Sequence, residues 1–248
     1  MLLESELEAL EGYVGNFKAH IRTKEGSFDT PAGAVVVCTG YREFDASRVE
    51  AYGYGRLPDV ITSFELEQML RQGRVLTREG KVPRCVALIH CVGSRSAEYH
   101  SYCSRVCCMT ALKYAHEIKS AVPGCYVSDL YIDMHAFGKG CEDFYKRSSE
   151  AKTLFLMYGK GERPVIRRAG TRDDCDMLIE VDEQLSGERI EIPADLVILM
   201  VGMEARPDAT EVAHTVNISQ DKDGWFIESH PKLDPVATTT EGGFIAGT

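Results

Sequence analysis

The sequence predicts an α/β fold built on a parallel sheet, and three observations carry that expectation. From Arg84 onward, strand-length apolar runs alternate with helix-length segments. Two of those runs, at Val86-Ala-Leu-Ile89 and Leu196-Val-Ile-Leu-Met-Val201, are apolar at every position, as strands covered on both faces are. Glycine and proline punctuate the alternation, so that the strands and helices between them have defined ends.

The elements follow in order. Residues 7–12 and 17–22 alternate apolar and polar around Gly15-Asn16, which predicts a hairpin. Residues 34–38 form a β-branched run that stops at Thr39-Gly40 and reads as a buried strand. The Gly- and Tyr-rich stretch 41–58 reads as loop. Thr62 and Glu65 fit a capping box, followed by the helical stripe of Leu66, Met69 and Leu70. After Gly80 to Pro83 the pattern changes. Residues 85–90 are a strand ending at Cys91-Val-Gly-Ser, and a helix with Val106, Met109, Leu112, Ala115 and Ile118 on its apolar positions stops at Pro123-Gly124. Strands over 126–134 and 153–158 flank a short helix at 142–149. Strand–helix–strand–helix–strand order implies parallel pairing through right-handed crossovers, a Rossmann-like unit. Residues 177–181 and 189–192 read as a meander and 196–201 as another buried strand. The tail is expected to hold a short helix, a strand at 225–227 and a last apolar run ending at Phe244-Ile-Ala-Gly-Thr248.

Composition bounds the function. The chain has 248 residues, 44% hydrophobic and 27% charged, which is the balance of an ordinary globular protein. Its 28 basic and 38 acidic side chains give a net charge of −10, which argues against nucleic acid as a partner, because phosphate neutralisation needs a basic face. The longest apolar run is far short of the roughly 20 residues that span a bilayer, so no direct membrane insertion is expected. The first ten residues lack the basic and apolar regions of a signal peptide. A cytoplasmic location is therefore expected, with the nine cysteines as free thiols or metal ligands rather than a disulfide framework.

Four of those cysteines are grouped. Cys91 lies at the end of a strand, and Cys103, Cys107 and Cys108 open the helix that follows. In a strand–helix unit those two ends converge, and the helix N-terminus favours thiolates and an anionic group. Three readings compete. Reduced core cysteines are common, yet three within six residues are not. Structural zinc usually takes paired C-x2-4-C knuckles, which this spacing does not provide. A four-iron four-sulfur cluster takes four cysteine thiolates and is the favoured reading. No C-x-x-C occurs to support dithiol exchange. Cys38, Cys85 and Cys125 lie in or beside apolar strands and read as packing; Cys141 and Cys175 receive no role.

Weaker candidates remain. His135, in Asp133-Met-His135 after a strand, reads as a hydrogen-bonded structural histidine before it reads as a ligand. Gly138-Lys139-Gly140 reads as a solvated turn. Gly202, followed by Arg206-Pro207, comes after a buried strand, where a ligand-facing turn can sit. No Ser-His-Asp spacing, Walker loop or paired-carboxylate motif supports a hydrolase or kinase, and no catalytic residue is assigned.

The sequence resembles the A subunit of heterodisulfide reductase and its relatives, which include subunits of the quinone-interacting membrane-bound oxidoreductase. The resemblance rests on Cys91-Val-Gly-Ser-Arg95, Tyr102-Cys-Ser-Arg-Val-Cys-Cys-Met109 and Ala136-Phe-Gly-Lys-Gly140. Glu11-Gly-Tyr-Val-Gly-Asn-Phe17, Thr39-Gly-Tyr41, Tyr54-Gly55, Lys232-Leu-Asp-Pro235 and Phe244-Ile-Ala-Gly247 match in the same order. It implies a thioredoxin-reductase-like two-domain flavoprotein fold, in which a Rossmann-like domain is inserted into an FAD-binding domain. The expected domains are 82–203, carrying the cysteines, and the discontinuous 1–81 with 204–248 as an incomplete FAD-binding domain. It further implies FAD and an iron–sulfur cluster, electron transfer between them, and partner subunits of a heterodisulfide-reductase-type complex. Cys91, Cys103, Cys107 and Cys108 match the cluster ligands, while Thr39, Gly40, Gly247 and Thr248 match turns lining FAD. A non-catalytic assembly subunit with a four-cysteine metal site, and a pyridine-nucleotide-dependent flavin disulfide reductase without a cluster, are the alternatives. A homodimer is a further candidate assembly. No G-x-G-x-x-G segment occurs, so the chain reads as an internal piece of a longer protein, whose FAD binding needs segments beyond these residues.

Overall fold

A computed structural model of the chain describes residues 1–170 and 175–247. They form two units, one of residues 1–42 with 204–248 and one of residues 43–203.

The first unit begins with β1 (Glu6–Glu11), β2 (Phe17–Thr23) and β3 (Gly26–Ala32), an antiparallel sheet in the order β1-β2-β3. The expected hairpin is therefore three-stranded. Gly15 takes a left-handed φ of 83° in the turn. The third strand escapes the sequence pattern because it is largely exposed and holds Pro31, as an edge strand can. β4 (Val35–Val37) follows, with the two-residue strand β5 (Arg42–Glu43) at the end of this part.

The second unit contains β6 (Val60–Thr62), α1 (Ser63–Arg71), β7 (Cys85–Val92), α2 (Cys107–Ala121) and β8 (Tyr126–Tyr131). It continues through α3 (Cys141–Glu150), β9 (Leu154–Met157), β10 (Val165–Arg168), β11 (Met177–Glu183), β12 (Glu188–Ala194) and β13 (Leu196–Val201). Its centre is a five-stranded sheet in the order β6-β13-β7-β8-β9, parallel throughout. The α/β expectation is met here. Alternate residues of each strand serve opposite faces, as period-2 geometry requires. Val86, Leu88, Leu196 and Ile198 pack with Ala111, Ala115 and Ile118 of α2. Ala87, Ile89, Val197 and Leu199 pack instead with Phe44, Tyr52 and the antiparallel sheet β10-β11-β12. α1 opens with the complete Thr62–Glu65 capping box that its sequence predicts.

The boundary expected between residues 81 and 82 falls between 42 and 43. The reason is β6, whose three residues are too few to read as a strand but are all buried, paired in parallel with β13. The stretch 41–58 also holds two short 3-10 turns, at Ala46–Arg48 and Glu50–Tyr52.

The chain re-enters the first unit through β14 (Met203–Glu204), α4 (Ala209–Val216) and β15 (Gly243–Ile245). β15 pairs in parallel with β4. The strand expected at 225–227 is reduced to a single bridge between Gln220 and Phe226. Among the described residues, no helix is long and apolar enough to cross a membrane.

Candidate functional site

The four grouped cysteines lie near one another at the C-terminal edge of the parallel sheet, where α/β folds place their ligands. Cys91 is the penultimate residue of β7, and Cys107 and Cys108 are the first two of α2. No side chain caps that helix and no acidic residue occupies its first turn, so its free N–H groups face this corner with partial positive charge. Cys103 approaches on the loop between them. Three of the non-glycine residues with left-handed φ lie in these few turns, at Cys91 (57°), Arg95 (54°) and Arg105 (65°). Each such residue costs on the order of 1–3 kcal/mol, strain that surrounding packing must hold in place.

That packing is specific. Gly93 has φ of 80° and a β-carbon there would fall 2.1 Å from the Phe44 ring. Tyr102 donates its hydroxyl to the Met203 carbonyl at 2.7 Å, and Met203 N–H donates to Ser104 Oγ at 2.9 Å, which straps the Cys103 loop to the end of β13. Gly202, read as a ligand-facing turn, is buried in this strap. Its N–H donates to Val92 at 2.8 Å, and a β-carbon would press on Ser94, Ser104 and Val92. It shapes the cysteine corner, and it lies in a different unit from Thr39, Gly40 and Gly247.

The thiols are close enough to act on one another. Burial, the largest influence, pushes Cys91 up to about 12, with Cys108 and Cys103 adding to the rise and Arg95 opposing it. Burial followed by Cys91, Cys108 and Cys103 drives Cys107 to about 12 as well. Crowded, buried thiols without a cation hold their protons, whereas a bound metal deprotonates coordinating thiols. Cys108 differs. Burial acts upward there too, but the His90 side chain and the His135 main-chain N–H bring it below its ordinary value.

His90 belongs to a pair that no sequence pattern announced. It is fully buried with Asp129, Nε2 to Oδ1 at 2.6 Å, on the neighbouring strands β7 and β8. The approach is close without the alignment of a well-formed hydrogen bond. Burial alone would lower the His90 pKa; Asp129 overrides it and lifts it to about 10. Two polar residues inside apolar strands were the available signal, but which strands neighbour each other is a tertiary fact. Arg95 forms an ion pair with Asp133 across the mouth of the corner.

The donor set fits an iron–sulfur group in kind: four thiols, a helix N-terminus and N–H donors gathered at one place. The side chains are gathered without closing into a preformed metal-binding geometry among the described residues.

The second set of candidates sits in the other unit. β4 and β15 run parallel in register Val35 to Gly243 and Val37 to Ile245, and Ala246 N–H donates to the Val37 carbonyl at 3.0 Å. Thr39-Gly40 and Gly247 therefore leave the same end of two neighbouring strands. Gly40 and Gly247 have φ of 73° and 94° with open space beside them, so a ligand could approach the main chain closely. Thr248 lies outside the described residues.

No family model matches the chain. It is 40% identical over 227 residues to an iron–sulfur A subunit of the CoB–CoM heterodisulfide reductase of Methanopyrus kandleri, covering 87% of this chain and 33% of that protein. It is 39% identical over 231 residues to the A subunit of the H2/formate:CoB–CoM heterodisulfide, ferredoxin reductase of Methanococcus maripaludis, covering 90% and 34%. The chain thus spans about a third of the length of these curated relatives. In fold it is similar to thioredoxin reductase of Lactococcus lactis, with TM-score 0.52 and 16% identity over 98% of this chain and 65% of that one. Thioredoxin reductase of T. acidophilum is similar with TM-score 0.50 and 15% identity, over 98% and 64%. The expected thioredoxin-reductase-like fold is borne out.

Proposed function

We propose that this chain, which is homologous to about a third of the heterodisulfide reductase A subunit, is the part of an electron-transferring oxidoreductase that holds a four-iron four-sulfur cluster in one unit and contributes to a flavin site in the other. The observation that carries the reading is the convergence of Cys91, Cys103, Cys107 and Cys108 at one end of a parallel sheet, beside an uncapped helix N-terminus. A cluster bound there takes up and returns single electrons. The chain's own contribution is ligation by the four thiolates, burial by the Met203 strap, and partial neutralisation of negative charge by Arg95 and the α2 N-terminus. Thr39, Gly40, Gly247 and Thr248 are assigned to the flavin, with FAD as the expected form. The relatives' names as subunits support a multi-subunit complex as the setting, with other subunits as donor and acceptor.

The absence of a C-x-x-C pair in the sequence disfavours dithiol exchange as the chemistry of this chain. The test is metal and acid-labile sulfide analysis of protein purified without oxygen. About four iron and four sulfide per chain are expected. Zinc, or no metal at all, overturns the assignment in favour of a structural four-cysteine site or packed thiols.

A further inference from the structure

The chain segment that leaves β8 supplies hydrogen-bond donors to the cysteine corner. β8 ends at Tyr131, three residues before the extent its sequence predicts, so Asp133 and His135 lie on a loop rather than in the sheet. The Arg95–Asp133 ion pair ties that loop to the turn after Cys91. His135 is half-buried, and its ring Nδ1 lies 3.5 Å from Cys103 Sγ. The same sulfur receives the main-chain N–H of Arg105 at 3.3 Å. Cys107 differs, because its thiol points at the Val201 carbonyl at 3.9 Å, while Cys108 is mixed, facing the Asp133 carbonyl at 3.6 Å as well as nitrogen groups of His90 and His135. A thiol facing a carbonyl can only donate, and it loses that contact on deprotonation. A sulfur faced by nitrogen donors is set to accept. Cys103 accepts from the Arg105 N–H, and it accepts from the His135 ring as well in the tautomer that carries its proton on Nδ1. The main-chain N–H of His135 also addresses Cys108, so one residue touches two of the four sulfurs.

We propose that His135 is a positioning residue for the iron–sulfur group: its Nδ1–H holds the Cys103 sulfur and raises the group's reduction potential. This rests on the cluster reading above. The neutral ring with its proton on Nδ1 is sufficient. Negative charge on the cysteine sulfurs grows when the group gains an electron, and an N–H aimed at one of them stabilises that state more than the oxidised one. The reading of His135 as a structural histidine makes no such demand on the potential.

The two are separated by anaerobically purified wild type, His135→Leu and His135→Gln, compared by iron and sulfide content and by redox titration followed by EPR. All three proteins are expected to keep full iron and sulfide. In His135→Leu the reduced-to-oxidised ratio at a given potential should fall about tenfold, a midpoint shift of about 59 mV downward for one electron. His135→Gln, which keeps an N–H donor, should lie between. Pulsed EPR should show a weak ring-nitrogen coupling in the wild type that the Leu variant lacks. An unchanged midpoint in a fully loaded His135→Leu protein overturns the proposal. So does a strong nitrogen coupling, or loss of iron in both variants, since either would make His135 a ligand or a structural support. Wild-type protein without iron and sulfide would fail the cluster reading itself and take this proposal with it.

Discussion

Both units place their candidate ligand groups at the C-terminal ends of parallel strands, yet they support them very differently. In residues 43–203 the five-stranded sheet is covered on both faces, and Leu88, Ile89, Ile198 and Leu199 are wholly buried. In residues 1–42 with 204–248 the parallel pair β4–β15 rests on a small cluster of Val37, Ala213, Val216 and Ile218. Val36, on that same short strand, is 58% exposed. Four thiols proposed to share one ligand need fixed positions, and strained turns at Cys91, Arg95 and Arg105 persist only over a dense core. The turns at Thr39-Gly40 and Gly247 ask less of their support, because they offer main-chain groups and open space rather than side chains in register. The contrast teaches that the cysteine corner and its core are one object, and should fail together.

The sharpest way to break the contrast is to remove one thiol from each unit. Cys107→Ser should abolish most of the broad visible absorbance and most of the iron of an anaerobic preparation. Cys38→Ser, on the exposed cysteine beside Thr39, should leave both unchanged. Equal losses in the two variants, or none in Cys107→Ser, would detach the metal from the cysteine corner.

A second comparison sets a buried charge against an exposed apolar residue. Asp129→Asn leaves His90 without its charge partner in a fully buried setting, and removing one member of such a pair costs about 3–5 kcal/mol. Val36→Ser should stay within about 0.5 kcal/mol, as surface changes do. Denaturant unfolding of each variant measures both. A cost for Asp129→Asn no larger than that for Val36→Ser would show that the pair contributes nothing to the core.

How much of this could be read in advance follows from the range of each interaction. The Cys103, Cys107 and Cys108 grouping is local, and spacing placed Cys107 and Cys108 at a helix start and Cys91 at a strand end; Cys103, expected to open the helix with them, instead lies on the loop before it, because the helix begins only at Cys107. The inner strands 85–92 and 196–201 announced themselves by unbroken apolar runs. The His90–Asp129 pair and the reach of His135 to Cys103 depend on β8 lying beside β7 and ending at Tyr131, which no local pattern encodes. β6 was hidden for a similar reason, since three residues become a strand only because β13 is there to pair with them. Gly202 looked like a ligand-facing turn because it follows a buried strand; its neighbours Ser94 and Ser104 are brought to it by the fold.

The smallest effect lies at the rim of the well-supported unit, where the β11–β12 hairpin turns. Glu183 accepts the N–H groups of Ser186, Leu185 and Met157, and Ser186 contributes most to holding its carboxyl below the usual carboxylate range, against an opposing contribution from burial. A carboxyl whose pKa is depressed by folding stabilises the fold above its unfolded value of 4.5, and that contribution disappears as pH falls through the folded value. Protection of the Leu185 and Ser186 amides against hydrogen exchange should therefore decline between about pH 6 and pH 3 in the wild type. Glu183→Gln keeps the shape but not the charge, so its protection should be lower near neutrality and flat across the same range. The cysteine corner, supported by core rather than by this turn, should keep its visible spectrum at neutral pH in that variant. A flat wild-type profile would mean that the turn is held by its backbone bonds alone, and a spectral change in Glu183→Gln would mean that rim and core are coupled more tightly than their packing indicates.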